Sequence, residues 1–160
     1  MRVGALDERY ATPRLRRIVA KLLAHEAGEA PATAETLAIA EDDADGRQVL
    51  TLILEFAGAK VEAVATVRAA LSALDGHRPD VLISDVGMPE EDGYALIRHL
   101  RAREVDRSGK TPAIALTGYV GSDDRARLLA AGFQLFIRKP VEPSDIVAAV
   151  ASLAQGRSRA

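Results

Sequence analysis

Apolar residues between positions 35 and 155 follow two alternating patterns, short unbroken runs and longer stretches with helical spacing. The runs 37–40, 61–65, 81–84, 113–116 and 134–137 have the length of strands and are bounded by turn-forming or polar residues. Between them, Val49, Leu50, Ile53, Leu54 and Phe56 predict a helix from about Ala44 to Gly58, and Val67, Ala70, Leu71 and Leu74 a second that stops at Gly76. Leu96, Ile97 and Leu100 mark a third helix. A fourth starts near Ser122, carries Leu128 and Leu129 and ends before Gly132, and a fifth follows Pro143 with Ile146, Val147, Val150 and Leu153. Five strand–helix units predict an α/β fold with a parallel sheet covered on both faces, because every parallel crossover needs a helix.

A different segment precedes this alternation. Thr12 and Pro13 open a stretch in which Leu15, Ile18, Val19, Leu22 and Leu23 recur at helical spacing, and Gly28 closes it. Residues 28–34 have the composition of a linker. The expected organisation is therefore an N-terminal extension with one amphipathic helix over 1–34, a domain over 35–155, and a tail over 156–160.

The formal net charge of −2 favours neither nucleic acid nor membrane, but its distribution is uneven. Arg2, Arg9, Arg14, Arg16, Arg17 and Lys21 face only Asp7 and Glu8 in the first 21 residues. For that helix the expected roles are docking on its own domain, self-association into a homodimer, or contact with another protein. It has too few basic residues, and no interleaved aromatics, for nucleic acid. The absence of cysteine excludes disulfides and thiolate metal sites. No apolar run reaches the roughly 18 residues of a membrane span, so a cytoplasmic protein is expected.

In an open parallel sheet, residues at the C-terminal ends of the strands converge on one edge, where ligands bind. That edge would gather Glu41, Asp42 and Asp43 after the first strand, Asp85 after the third, Thr117 at the end of the fourth, and Arg138, Lys139 and Pro140 after the fifth. Crowded carboxylates stay ionised at neutral pH only beside a compensating cation. Mg2+ suits such a site, since it takes one or two carboxylates and keeps its other positions for water and phosphate oxygens. A carboxylate beside it can attack phosphorus to give an aspartyl phosphate, with an ammonium and a hydroxyl holding the remaining phosphoryl oxygens.

The segments Ile39-Ala-Glu-Asp-Asp43, Leu82-Ile-Ser-Asp-Val-Gly-Met-Pro89 with Asp92-Gly93, Ala115-Leu-Thr-Gly118 and Phe136-Ile-Arg-Lys-Pro140 resemble the motifs of response regulator receiver domains in two-component signalling. The resemblance implies a flavodoxin-like, doubly wound sheet of order 2-1-3-4-5. It implies that Asp85 is the phosphoacceptor, that Asp42, Asp85 and the main-chain carbonyl of Gly87 bind Mg2+, and that Glu41 acts through water. Lys139 would hold the acyl phosphate, and Thr117 would move to bond it. Phe136 occupies the position of an aromatic switch residue, and the Lys139–Pro140 bond a position that is cis in the family. The implied partners are a sensor histidine kinase or histidine phosphotransfer protein and a downstream protein target. The domain would be a signalling phosphoacceptor that catalyses its own phosphorylation and dephosphorylation, and not an enzyme acting on external substrates. Gly118 departs from the more usual alanine. Gly87 and Tyr119 stand where the family tunes hydrolysis of the phosphate.

Competing chemistries have weaker support. There is no Walker loop and no Gly-x-Ser-x-Gly elbow, and His25, His77 and His99 lack partners at metal-ligand spacing. An aspartate-based phosphohydrolase needs a second acid two residues after its nucleophile, where Gly87 stands. A pseudo-receiver that serves only as an interaction module, or a receiver fragment of a hybrid histidine kinase, are the alternatives to the expected stand-alone receiver. Met88 is expected to pack beneath the acidic loop.

Overall fold

The structure is a computed structural model that describes residues 36–76, 78–103, 109–118 and 121–158. Each apolar run forms a strand: β1 (Thr36–Ala40), β2 (Lys60–Val64), β3 (Val81–Asp85), β4 (Ala113–Thr117) and β5 (Leu135–Arg138). Five helices alternate with them: α1 (Ala44–Phe56), α2 (Val67–Gly76), α3 (Gly93–Arg101), α4 (Ser122–Ala131) and α5 (Pro143–Ser158). The strands pair in the order β2-β1-β3-β4-β5, and every pairing is parallel. The result is the flavodoxin-like sheet that the resemblance implied.

Alternation of side chains along the strands divides the core in two. Leu37, Ile39, Val81, Ile83, Ile114 and Leu116 face Leu50, Ile53 and Leu54 of α1 and Ile146 and Val150 of α5. On the opposite face the strands offer smaller side chains, Ala38, Ala40, Ala113 and Ala115 beside Leu82. The large residues there come from the helices: Leu74 of α2, Leu96, Ile97 and Leu100 of α3, and Leu128 of α4. Met88 packs in that layer, as expected. Leu128 is the sole buried residue of α4, so that helix is the one least anchored by apolar packing.

Some boundaries differ from those the periodicity predicts. Asp85 closes β3 and Arg138 closes β5, while β2 begins one residue early, at Lys60. Ladder pairing sets these ends: Asp85 aligns with Leu116, Arg138 with Thr117 and Lys60 with Thr36. α2 includes Gly76, and α5 continues through Gly156 to Ser158. One glycine costs a helix only about 1 kcal/mol, too little to end it where the other backbone bonds hold. At α4, by contrast, Gly132 does stop the helix, with φ 120 in the left-handed region. The expected N-terminal helix lies outside the described residues.

Candidate active site

Strand register determines which residues meet at the C-terminal edge. Ala40 pairs with Ser84, so Glu41 falls beside Asp85; Asp85 pairs with Leu116, so Thr117 lies one step beyond; Thr117 pairs with Arg138, so Lys139 lies one step further. The main-chain N–H of Lys139 donates to the carbonyl of Thr117 at 2.8 Å, extending the β4–β5 ladder into the site. The Lys139–Pro140 peptide that follows is cis.

The helices fix the loops. The Asp43 carboxylate accepts from the Gly46 N–H at 2.8 Å and caps α1, which pins the turn carrying Glu41 and Asp42. Asp92 caps α3 in the same way through the Ala95 N–H at 2.9 Å. Next to it, Gly93 presses so close to β3 that an added Cβ would lie 2.4 Å from the Asp85 carbonyl oxygen. Only glycine allows that approach.

Carboxylate oxygens of Glu41, Asp42 and Asp85 all lie within 4.8 Å of one another. Glu41 and Asp85 are buried, as is Thr117. The Lys139 ammonium bridges the two buried acids, 3.1 Å from Glu41 Oε2 and 3.1 Å from Asp85 Oδ2. The Gly87 N–H donates to Asp85 Oδ1 at 3.2 Å, and the Asp43 N–H to Glu41 Oε1 at 3.2 Å.

These contacts divide the two buried acids electrostatically. Burial pushes the Glu41 carboxyl up to about 7, and the neighbouring Asp85 charge adds to the shift, against the opposing Lys139 bond. For Asp85 burial acts in the same upward direction, but the Gly87 N–H and Lys139 overcome it and hold the carboxyl below its ordinary range. Burial disfavours the Lys139 ammonium, yet its bonds to Glu41 and Asp85 raise its pKa above the usual lysine value. Asp85 is thus an ionised carboxylate at neutral pH. One ammonium serves three converging carboxylates, and a small, hard cation held by oxygens would complete the charge balance. The donor set therefore fits Mg2+.

The expected residues Glu41, Asp42, Asp85, Thr117 and Lys139 come together at this edge, and Gly87 borders it. Phe136 is half-buried against the α2–α4 face of the core, with the Arg125 guanidinium 5.9 Å from its ring centre. Tyr119, His25 and His77 lie outside the described residues. His99 is exposed, with Nε2 3.8 Å from Glu91, away from any metal-ligand set. At Gly118 an added Cβ would meet nothing within 4 Å, so alanine would fit there.

Two contributors had no role assigned from the sequence. Arg47 Nη1 donates to the main-chain carbonyls of Glu41 at 2.9 Å and Asp42 at 3.3 Å, and Gly93 sets the distance between α3 and Asp85. The glycine directly after the capping Asp92 was the visible signal for the second. For Arg47 no residue pattern gave one, because its acceptors are backbone oxygens.

The chain matches the response regulator receiver domain family over residues 37–151. It is 41% identical over 109 residues to an uncharacterized 14.6 kDa protein from the sodA1 3' region of Leptolyngbya boryana, covering 68% of this chain and 82% of that one. It is 32% identical over 120 residues to the virulence transcriptional regulatory protein PhoP of Salmonella typhimurium, covering 75% of this chain and 52% of that protein. The chain thus spans about half the length of that regulator. The signal receiver domain of a signal transduction histidine kinase from Syntrophus aciditrophicus superimposes with a TM-score of 0.71 at 38% identity, over 79% of this chain and 95% of that one. Among the described residues no helix is long and apolar enough to cross a membrane. Parallel sheet, converging acids, bridging lysine and family match agree: the chain belongs to the response regulator receiver domains of two-component signalling.

Proposed function

We propose that Asp85 accepts a phosphoryl group from a phosphohistidine on a sensor kinase or histidine phosphotransfer protein, in a Mg2+-dependent transfer that the domain itself catalyses. The observation that carries this reading is the Lys139 ammonium, 3.1 Å from both Asp85 Oδ2 and Glu41 Oε2, with Asp42 completing the acidic cluster. Asp42, Asp85 and the Gly87 main-chain carbonyl would hold Mg2+, with Glu41 acting through water. Bound there, Mg2+ supplies charge neutralisation for the phosphoryl oxygens.

The chain's own groups do the rest. The ionised Asp85 carboxylate attacks phosphorus, an O–P bond forms as the N–P bond breaks, and the departing imidazole nitrogen takes up a proton. Lys139 holds one phosphoryl oxygen and the Thr117 hydroxyl moves to another. The shift of Thr117 frees space for Phe136 to turn inward, which changes the surface of α4 and β5 that a downstream protein reads. Reversal by water returns the carboxylate and releases inorganic phosphate. We place this exchange in the cytoplasm, where ATP-fed kinases operate.

The test is incubation of the full chain with MgCl2 and acetyl phosphate, followed by intact-mass measurement. One phosphoryl group is gained by the parent protein and none by Asp85→Asn or in the presence of excess EDTA. An unmodified parent chain overturns the proposal and leaves a constitutive interaction module.

A further inference from the structure

The half-buried Arg47 lies at the end of the first turn of α1. A cation there opposes the positive end of the helix dipole, and an arginine in that position ordinarily extends into water. Here it folds back. Its Nη1 donates to the carbonyl oxygen of Glu41 at 2.9 Å and to that of Asp42 at 3.3 Å, the two acids that follow β1.

The consequence is clearest at the peptide joining Asp42 to Asp43. Its carbonyl accepts from Arg47, and its N–H donates to Glu41 Oε1 at 3.2 Å, so the unit is held at both ends. The two peptides before it are each held at one end: the N–H of the Ala40–Glu41 peptide donates to Val64 O at 3.0 Å, and the carbonyl of the Glu41–Asp42 peptide accepts from Arg47. With these peptides fixed, the directions in which the Glu41 and Asp42 side chains leave the backbone are fixed too. We infer that Arg47 is a positioning residue for the acidic site, clamping the turn after β1 so that Glu41 and Asp42 converge with Asp85 on one divalent cation. This rests on the assignment of that cluster to Mg2+ made above. Groups that orient metal ligands without touching the metal commonly change affinity 10–100-fold when removed.

The clamp is separable from the fold. Helix α1 keeps its Asp43 cap to Gly46, and its buried residues Leu50, Ile53 and Leu54 do not depend on the guanidinium.

The experiment is calorimetric titration of Mg2+ into the full chain and its Arg47→Met, Arg47→Lys and Asp85→Asn variants, with thermal melts as a check on folding. Asp43 amide exchange is read by NMR in the metal-free proteins. Arg47→Met is expected to raise the Mg2+ Kd on the order of 10-fold and to speed Asp43 exchange. Arg47→Lys keeps the charge without the planar fork and recovers part of the loss. A Kd for Arg47→Met within two-fold of the parent value overturns the inference. Should Arg47→Met not fold, Arg47→Lys decides: several-fold weaker binding supports the clamp, and parental affinity removes it. If the parent chain binds Mg2+ and Asp85→Asn weakens it while both Arg47 variants behave as the parent, the clamp alone is lost. If the parent binds no Mg2+, the metal assignment and the clamp are lost together.

Discussion

At the scale of single residues, Lys139 and Gly93 shape Asp85 from opposite sides, one by charge and one by having no side chain. The ammonium, 3.1 Å from Asp85 Oδ2, already lies against the carboxylate that would carry the phosphoryl group. Replacing it should therefore cost transition-state stabilisation more than fold. Lys139→Met is expected to slow phosphorylation by acetyl phosphate by about 100-fold, the usual effect of losing one charged or hydrogen-bonding stabiliser, and a mass-resolved time course measures it. Gly93→Ala acts through packing. Its Cβ would lie 2.4 Å from the Asp85 carbonyl oxygen and 2.9 Å from the Val86 Cα, both of them backbone that cannot step aside as a side chain would. The expected cost is about 1–3 kcal/mol of stability, the range for overpacked sites, read as a lower midpoint in urea unfolding. An unchanged midpoint would show that α3 can slide outward without loss.

Among the elements, the far edge of the sheet from Asp85 shows how α3 and α4 are held. Arg101, at the end of α3, donates to the carbonyls of Gly109 (3.0 Å), Thr111 (2.7 Å) and Gly132 (2.8 and 3.1 Å) and to the Gln134 side chain (3.1 Å). Gln134 Oε1 in turn accepts from the Ala113 N–H at 2.7 Å, so the network reaches the start of β4. Burial lowers the Arg101 pKa, yet its partners are all neutral oxygens. Arg101→Met strands several carbonyls at once, and a loss of about 2 kcal/mol is expected from unsatisfied acceptors. The neighbouring Arg103 provides the contrast: it is bonded to the largely exposed Asp75 at 2.8 Å and to one backbone carbonyl, that of Leu71, at 3.3 Å. Its replacement by Met strands one acceptor where Arg101→Met strands several, and should cost about 1 kcal/mol. Paired urea titrations of the two variants test the difference. This network also shows where sequence reading stops. Apolar periodicity was enough to find the ten elements of the described residues, because burial demands it. The acids, Thr117 and Lys139 were found because they stand where strands end. Arg47, Arg101 and the approach of Gly93 bond or press against backbone, and backbone is the same at every position. The strand order likewise came from resemblance, since alternation alone permits several orders of a parallel sheet.

For the molecule as a whole, the acidic site exchanges stability for chemistry, and pH exposes that exchange. Glu41 titrates near 4.5 when unfolded and is raised to about 7 in the folded, metal-free protein, chiefly by burial. Between those values the folded state holds a proton that the unfolded state releases. Metal-free stability must then fall as pH rises from about 4.5 towards 7, by at most about 1.4 kcal/mol per pH unit from this group. Asp85 and Lys139 contribute outside that window. Asp85, held below its ordinary range, loses its contribution as pH falls below about 4, and Lys139, raised, loses its own only at high alkaline pH. Mg2+ favours the ionised carboxylates and should flatten the decline. Urea unfolding at pH 5, 6 and 7, in EDTA and again in excess MgCl2, is expected to give a falling series in the first case and a level or rising one in the second. Glu41→Gln, which cannot ionise, should remove the metal-free decline while leaving any slope due to other groups. A parent protein whose metal-free stability rises across this range would place the buried charge elsewhere than on Glu41.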